Sequence, residues 1–276
     1  MEGYAYYNGR FGKCDDIKIP LTDRLIYFGD GVYDVVIGHS KRLFLLDDHI
    51  DRLYSGMSFL EITPPVSKED LISLINVMVA ESGYKSYLVY ISVSRGADSR
   101  NHSYLGCTST NLLITVKDFC LSQKGRLSLI TTEDRRYDFC NIKTINLLPS
   151  VLASTYAEKK NCDEAVFTKN GIVTECAHSN IFIIKDNALI THPESSLILS
   201  GITRKFLIKI AAESGIEVRE TGFTKAELFE ADEVLITSTT KLVKEAGMID
   251  GRTIGGKSTA LCNILKSKIN DLYQNI

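Results

Sequence analysis

A lysine stands inside an otherwise apolar segment. In Cys140-Asn141-Ile142-Lys143-Thr144-Ile145-Asn146-Leu147-Leu148 it is flanked by Ile142, Ile145, Leu147 and Leu148, side chains that belong in an interior. These neighbours predict a largely buried setting, where a lone ammonium is costly. A fold that accepts Lys143 there needs a use for it. Burial lowers a lysine's pKa and makes it a nucleophile, able to form a Schiff base with a carbonyl group and, once released, to carry a proton. The bland alternative is a surface lysine between a strand and a helix.

Around this segment short strands and helices mix, with no internal repeat. Tyr4–Tyr7 and Arg10-Phe11 flank Asn8-Gly9, a hairpin signal. Residues 32–37 and 43–46 predict a second strand pair about Gly38-His39-Ser40-Lys41. Asp47 or Asp48 would cap a helix through His49, Ile50, Leu53 and Met57. A helix over 70–81 would bury Leu71, Leu74, Val77 and Met78. Strands are expected at Ser86–Ser94 and 111–116, joined by a loop over 95–110 rich in Gly, Ser, Asn and Asp and long enough to point to function. Apolar periodicity breaks at Ser122-Gln123-Lys124-Gly125. Beyond it, strands are expected at 127–131, 164–167, 181–184, 188–191, 218–220 and 233–236, and helices at 145–159, 201–214, 225–229 and 258–273. The predicted class is α+β, with a smaller N-terminal domain over 1–119, a linker over 120–126 and a larger C-terminal domain over 127–276.

Several function classes are disfavoured. The formal net charge is -2, so no basic field invites nucleic acid or anionic lipid. The apolar runs are too short to span a bilayer. The opening residues, Met1-Glu2-Gly3-Tyr4-Ala5, lack a basic leader and an apolar segment, so no signal peptide is expected and the cytoplasm is the expected location. Seven cysteines without Cys-x-x-Cys spacing argue against a disulfide framework and a zinc site. Most are expected to be small buried residues. Five scattered histidines make no metal cluster, and neither a Gly-x-Gly-x-x-Gly after a strand nor a Walker-type lysine loop is present.

Other residues could serve a cofactor. Glu175 follows the turn Gly171-Ile172-Val173-Thr174. Alone it is a solvated turn acid. Beside a pyridine ring it would keep the ring nitrogen protonated, with Asn180 fixing the loop around it. Ser200-Gly201-Ile202-Thr203-Arg204 opens a helix and offers free N–H groups and a dipole to an anion. Thr237-Ser238-Thr239-Thr240 ends a strand and offers hydroxyls. Each turn is common, and the two together with Lys143 point to a cofactor that carries both a carbonyl and a phosphate. Arg52 is either a helix-surface partner of Asp48 at i,i+4 or part of the phosphate clamp. In Tyr27-Phe28-Gly29-Asp30-Gly31-Val32-Tyr33-Asp34, Gly31 serves either a special φ or a close approach, and Tyr33 is either a core aromatic or a substrate-contacting hydroxyl. Arg100 and His102 in the polar loop are either incidental charge or a carboxylate clamp, a task that suits the arginine fork.

Taken together, these stretches resemble the fold-type IV pyridoxal phosphate enzymes over essentially the whole chain. The likeness rests on Phe28-Gly29-Asp30-Gly31-Val32-Tyr33, on His49-Ile50-Asp51-Arg52-Leu53 and on Ile142-Lys143-Thr144-Ile145-Asn146-Leu147-Leu148. Val173-Thr174-Glu175, Ser179-Asn180, Gly201-Ile202-Thr203-Arg204 and Thr237-Ser238-Thr239-Thr240 complete it. The resemblance implies a two-domain fold and pyridoxal 5'-phosphate as cofactor. It makes Lys143 the Schiff-base lysine and proton shuttle, and Glu175 the partner of the pyridine nitrogen. It also implies a phosphate cup of Arg52, Ile202, Thr203, Ser238 and Thr239, with Leu199 against the ring. Tyr33 with the Arg100-Asn101-His102 pair resembles the α-carboxylate clamp of D-amino acid aminotransferases, in which the arginine and histidine come from the neighbouring subunit. The expected activity is transamination of D-amino acids of the D-alanine, D-glutamate and D-aspartate type with an α-keto acid acceptor, in a homodimer. A branched-chain L-amino acid aminotransferase and an aminodeoxychorismate lyase are the alternatives within the fold. The chain departs from the D-specific pattern at Asp34, where glutamate is common, at Cys176-Ala177-His178, where a small serine-rich run is usual, and at Tyr137-Asp138-Phe139, which replaces a more basic stretch. His178 is therefore a candidate to reach toward the substrate.

Overall fold

The computed structural model describes residues 3–276. The chain divides into two units. One runs to Cys120 and takes in Ile142–Asn146 and Ile276, and the other comprises Leu121–Asn141 and Leu147–Asn275.

In the first unit, β1 (Tyr4–Tyr7) and β2 (Arg10–Lys13) form a hairpin whose turn residues Asn8 and Gly9 both take positive φ, 44° and 88°. Asp23 caps α1 (Arg24–Phe28), which ends at Gly29. β3 (Gly31–His39) and the short β4 (Arg42–Leu43) follow, then α2 (Leu46–Phe59), α3 (Lys68–Ser82), β5 (Ser86–Ser94) and β6 (Asn111–Asp118). The strands make one antiparallel sheet in the order β2-β1-β6-β5-β3-β4. Alternate residues of the central strands, such as Val89, Ile91 and Val93, form one core with Ile50, Leu53 and Met57 of α2 and Leu71, Ile75 and Met78 of α3.

Two helix readings need correction. α2 starts at Leu46 without a side-chain cap, and Asp47 and Asp48 lie within its first turn, where their charge offsets the helix dipole. α3 is capped by Ser67 and buries Leu71, Ile75, Met78 and Val79. Val77 is half exposed, because the sheet meets α3 one position round from the face that periodicity suggested.

The segment 142–146 lines the edge of β3 beyond its pairing with β4. Val32 bridges Thr144, the Tyr33 N–H donates to the Lys143 carbonyl at 3.0 Å, and the Ile145 N–H donates to the Gly31 carbonyl at 3.1 Å. Those residues are spent on a strand edge, so α4 (Leu148–Lys159) begins later than its periodicity predicted, with Pro149 in its first turn.

The second unit begins with β7 (Leu127–Glu133) and continues after α4 with β8 (Glu164–Lys169), β9 (Ile172–Cys176), β10 (Asn180–Lys185), β11 (Ala188–Thr191) and α5 (Ile202–Glu213). β12 (Val218–Glu220), α6 (Lys225–Glu230), β13 (Glu233–Ser238), β14 (Leu242–Ile249), β15 (Arg252–Thr253) and α7 (Thr259–Gln274) complete it. Its sheet runs β12-β11-β10-β13-β14-β7-β8-β9, with β15 on β14. The β14–β7, β7–β8 and β11–β12 pairs are parallel. Strands β10 and β13 are buried at five of six residues and β8 at its first four, as strands covered on both faces must be. β9 went unread as a strand, so Glu175 stands on a strand and not on a turn. The fold is α+β in both units.

All seven cysteines are free, and only Cys176 and Cys262 are buried, fewer than expected. No helix among the described residues is long and apolar enough to cross a membrane, and no group of metal-ligating side chains was found among them.

Candidate functional site

In the first unit Lys143 is half-buried and not enclosed as its neighbours had suggested. Leu147 and Leu148, which follow it, are exposed. Its ammonium lies 4.4 Å from the centroid of the Tyr33 ring, a cation–π contact that replaces part of the lost hydration. The same ring stacks on Tyr90 at 5.2 Å. Tyr33 is thus an orienting surface for Lys143.

Beneath them lies a buried charge network. Asp34, fully buried, accepts from His49 Nδ1 at 2.7 Å and from Arg52 Nε and Nη2, both at 2.8 Å. The partner of Arg52 is therefore Asp34 on β3 and not Asp48 on its own helix. Burial alone would raise the Asp34 pKa, but Arg52 and His49 outweigh it and hold the carboxyl well below the usual range. His49 moves down, first through burial and also through the charges of Arg52 and Lys143, against the pull of Asp34. Gly31 has no special φ. A Cβ there would stand 2.5 Å from the Val93 carbonyl oxygen and 2.9 Å from Ile145 Cδ1, so close approach of two chain segments demands glycine.

Arg100 and His102 lie exposed in the loop after β5. Both turn to one aromatic ring: the Arg100 guanidinium is 5.6 Å and the His102 ring 5.3 Å from Phe28.

In the second unit Glu175 is 5% exposed on β9. Its Oε2 accepts from Asn180 Nδ2 at 2.9 Å and from the Leu199 N–H at 3.1 Å, and its Oε1 accepts from Arg136. Asn180 Nδ2 also donates to the Leu199 carbonyl. Leu199 is thereby fixed to the acid. Arg136 and Asp134 were missed from the sequence. Arg136 reaches Asp134 through Nε at 2.9 Å and Nη2 at 2.7 Å, and donates to the Leu197 carbonyl. Burial would lower the Arg136 pKa, but Asp134 and Glu175 raise it above the normal value. Asp134 is held low: burial works against it and the Arg136 bonds prevail. The only signal for this pair was an acid and an arginine two positions apart at the end of a strand, which is too ordinary to single out.

Gly201 caps α5 without any side-chain bond, so the first N–H groups, those of Ile202, Thr203 and Arg204, have no side-chain cap. A Cβ on Gly201 would fall 2.1 Å from Asn180 Oδ1, so the turn tolerates no side chain. Ile202 and Thr203 are buried. Asn180 pairs with Thr237 across β10 and β13. At the end of β13 the hydroxyls of Thr237 and Ser238 are buried and have no hydrogen-bond partner. Orphan hydroxyls beside an anion-type turn await acceptors, and Thr239, only partly buried, continues that turn. These donors fit a phosphate, and Glu175 fits a protonated ring nitrogen. His178 is turned elsewhere: its Nδ1 lies 3.0 Å from Lys241 Nζ and 3.1 Å from the buried carboxylate of Glu164.

A family profile described as Amino-transferase class IV matches residues 31–245. The D-alanine aminotransferase of Listeria innocua serovar 6a is 39% identical over 250 residues, 88% of this chain and 86% of that protein. The D-alanine aminotransferase of Bacillus licheniformis is 37% identical over 252 residues, covering 90% and 89%. Among solved structures, a branched-chain amino acid aminotransferase from T.th. with pyridoxamine 5'-phosphate shares the fold. Its TM-score is 0.91 at 24% identity, over all of this chain and 96% of the other.

Proposed function

The chain belongs to the class IV aminotransferases, a pyridoxal 5'-phosphate-dependent family, and we propose that it transfers the amino group of D-amino acids to α-keto acids. The carrying observation is the pair Arg100 and His102, both set against the Phe28 ring, where a guanidinium fork and an imidazole can bind a carboxylate. The names of the curated relatives support the same choice.

The cofactor, when bound, supplies an electron sink for the substrate α-carbon. Lys143 holds the amine and moves the proton at Nζ, oriented by Tyr33. Glu175, fixed by Arg136, Asn180 and the Leu199 N–H, offers a carboxylate to the ring nitrogen, with Leu199 against the ring. The N–H groups of Ile202 and Thr203, with Ser238 and Thr239, donate to the phosphate. Arg52, its fork steadied by Asp34, adds positive charge. Tyr33, Arg100 and His102 hold the α-carboxylate of substrates of the D-alanine, D-glutamate and D-aspartate type.

We also infer a homodimer. Leu148, Val151, Leu152 and Tyr156 fall at i, i+3, i+4 and i+8 of α4 and are 62%, 54%, 63% and 41% exposed, an apolar stripe suited to a second copy. Sedimentation at micromolar concentration checks it. The free cysteines accord with the reducing setting of the cytoplasm.

The test is a half-reaction titration of the purified holoenzyme. D-alanine should bleach the visible absorbance, raise a near-ultraviolet band and release pyruvate, while L-leucine does neither. Conversion by L-leucine alone would replace this reading with a branched-chain L-amino acid aminotransferase.

A further inference from the structure

Arg24 takes no part in the scheme above, yet its side chain is 4% exposed and its guanidinium is engaged at every nitrogen. Nε donates to Asp30 Oδ2 at 2.8 Å. Nη1 donates to the Asn101 carbonyl at 2.6 Å and the Ser103 carbonyl at 3.4 Å, and Nη2 to the His102 carbonyl at 3.1 Å. Three consecutive carbonyls of the loop therefore converge on one arginine. The plane of that arginine also lies over Phe28, 4.7 Å from the ring centroid, the ring that carries Arg100 and His102.

The short helix that holds Arg24 and Phe28 is itself tied to both ends of the loop. Asp23 accepts from Ser94 Oγ at 3.0 Å, at the end of β5, and from Asn111 Nδ2 at 2.7 Å, at the start of β6. The Arg24 N–H donates to the Gly96 carbonyl, and the Asp98 N–H donates to the Thr22 carbonyl. Asp30 also binds Arg95, whose other nitrogens donate to the carbonyls of Leu60 and Glu61. Residues 99–103 have no strand or helix of their own. An irregular segment so placed would lose its conformation to entropy without such bonds, and a clamp works best when its side chains are set before the ligand arrives.

We propose that Arg24 is a positioning residue for substrate recognition: by binding the carbonyls of Asn101, His102 and Ser103 it presets Arg100 and His102 for the substrate carboxylate. This rests on the carboxylate reading of those two residues given above. A cationic ammonium cannot reach Asp30 and three carbonyls together, so lysine replaces Arg24 only in part.

The experiment compares R24Q, R24K, R100A and the R24Q/R100A double variant as holoenzymes, with D-alanine varied at fixed keto acid. Loss of charge-assisted bonds to the loop should raise the D-alanine KM roughly tenfold in R24Q, with a smaller change in kcat and a KM between the two in R24K. Because Arg24 acts through Arg100 and His102, R24Q should raise the KM of R100A by clearly less than it raises that of wild type. Hydrogen exchange without substrate should quicken over residues 99–106 in R24Q and stay unchanged in β5 and β6. An unchanged KM in folded R24Q, or effects of R24Q and R100A that multiply in full, overturns the proposal. Should R24Q not fold, R24K carries the same comparison, and an unraised KM there is equally decisive. Wild-type protein that ignores D-alanine would overturn the carboxylate reading itself. The two failures are told apart because loop exchange is measured without substrate.

Discussion

Arg136 offers the sharpest test of how the acid of the site is held. Its side chain is 12% exposed, and the two carboxylates it joins, Asp134 and Glu175, are 3% and 7% exposed. R136L removes two side-chain bonds to Asp134, one to Glu175, one to the Leu197 carbonyl and one to the Thr174 hydroxyl and leaves two buried anions without their countercharge. Breaking a buried pair of this kind costs about 3–5 kcal/mol, the loss expected at pH 7. The pH dependence gives a second signature. In the wild type Asp134 is held low, so it contributes stability above its unfolded pKa that is lost as pH falls toward the folded value. In R136L the Thr174 hydroxyl and the backbone N–H of residue 136 still lower it, but burial has lost its main opponent, so its pKa rises relative to wild type. The penalty of the unpaired carboxylate then fades as pH falls toward that higher value, and the gap to wild type narrows toward acid pH. The chain has no tryptophan, so far-ultraviolet circular dichroism in urea is the assay. D134N/R136L, with one stranded charge removed, should recover part of the loss. A deficit under about 1 kcal/mol at pH 7, or one that does not shrink anywhere as the pH is lowered, would refute the reasoning.

Three further outcomes are expected. S238A removes a buried hydroxyl without a partner, so the apoprotein should melt no lower than wild type while pyridoxal phosphate affinity, read by absorbance titration, falls roughly tenfold; a lower melting point with unchanged affinity contradicts this. H49Q should flatten the acid limb of stability. His49 is lowered from its usual 6.5, so the unfolded chain takes up its proton first and stability drops as pH falls below that value, by at most ~1.4 kcal/mol per unit; equal slopes in both proteins would show that His49 is not the cause. G31A must push its Cβ against the Val93 carbonyl oxygen and Ile145, so a loss of about 2–3 kcal/mol is expected by thermal melting, and a neutral result would mean that β3 can move.

Much of the fold was legible where pattern and environment agree. Ser86–Ser94, Ala188–Thr191 and Val218–Glu220 form strands with the bounds their composition suggested. Reading failed where a distant segment decides. Ile145 fits helical periodicity, but the edge of β3 claims it. β14 was overlooked because Lys244, Glu245 and Gly247 interrupt its apolar run; its place between β13 and β7 makes it a strand. In the site, residue type and spacing pointed to Lys143, Glu175 and the two anion turns. Pairing was not legible: nothing local says that Asp34 on β3 meets Arg52 on α2, or that Arg136 beyond the end of β7 meets Glu175 on β9, since each pair is joined only by tertiary packing. The exposure of Lys143 was misjudged because Leu147 and Leu148 look like a core and lie outside one.

The membership of Ile142–Asn146 in the first unit bears on how the protein can be made. A ribosome delivers residues in order at roughly 5–20 per second, and the edge of β3 stays bare until 142–146 have emerged. By then β7 is also out, while β14, its parallel neighbour, still lies about a hundred residues upstream of release. The first unit cannot finish before a stretch encoded beyond its apparent border has been synthesised. A gene fragment cut at Cys120 should therefore yield a sheet with an open, sticky flank, and a fragment meant to hold the first unit must reach at least Asn146.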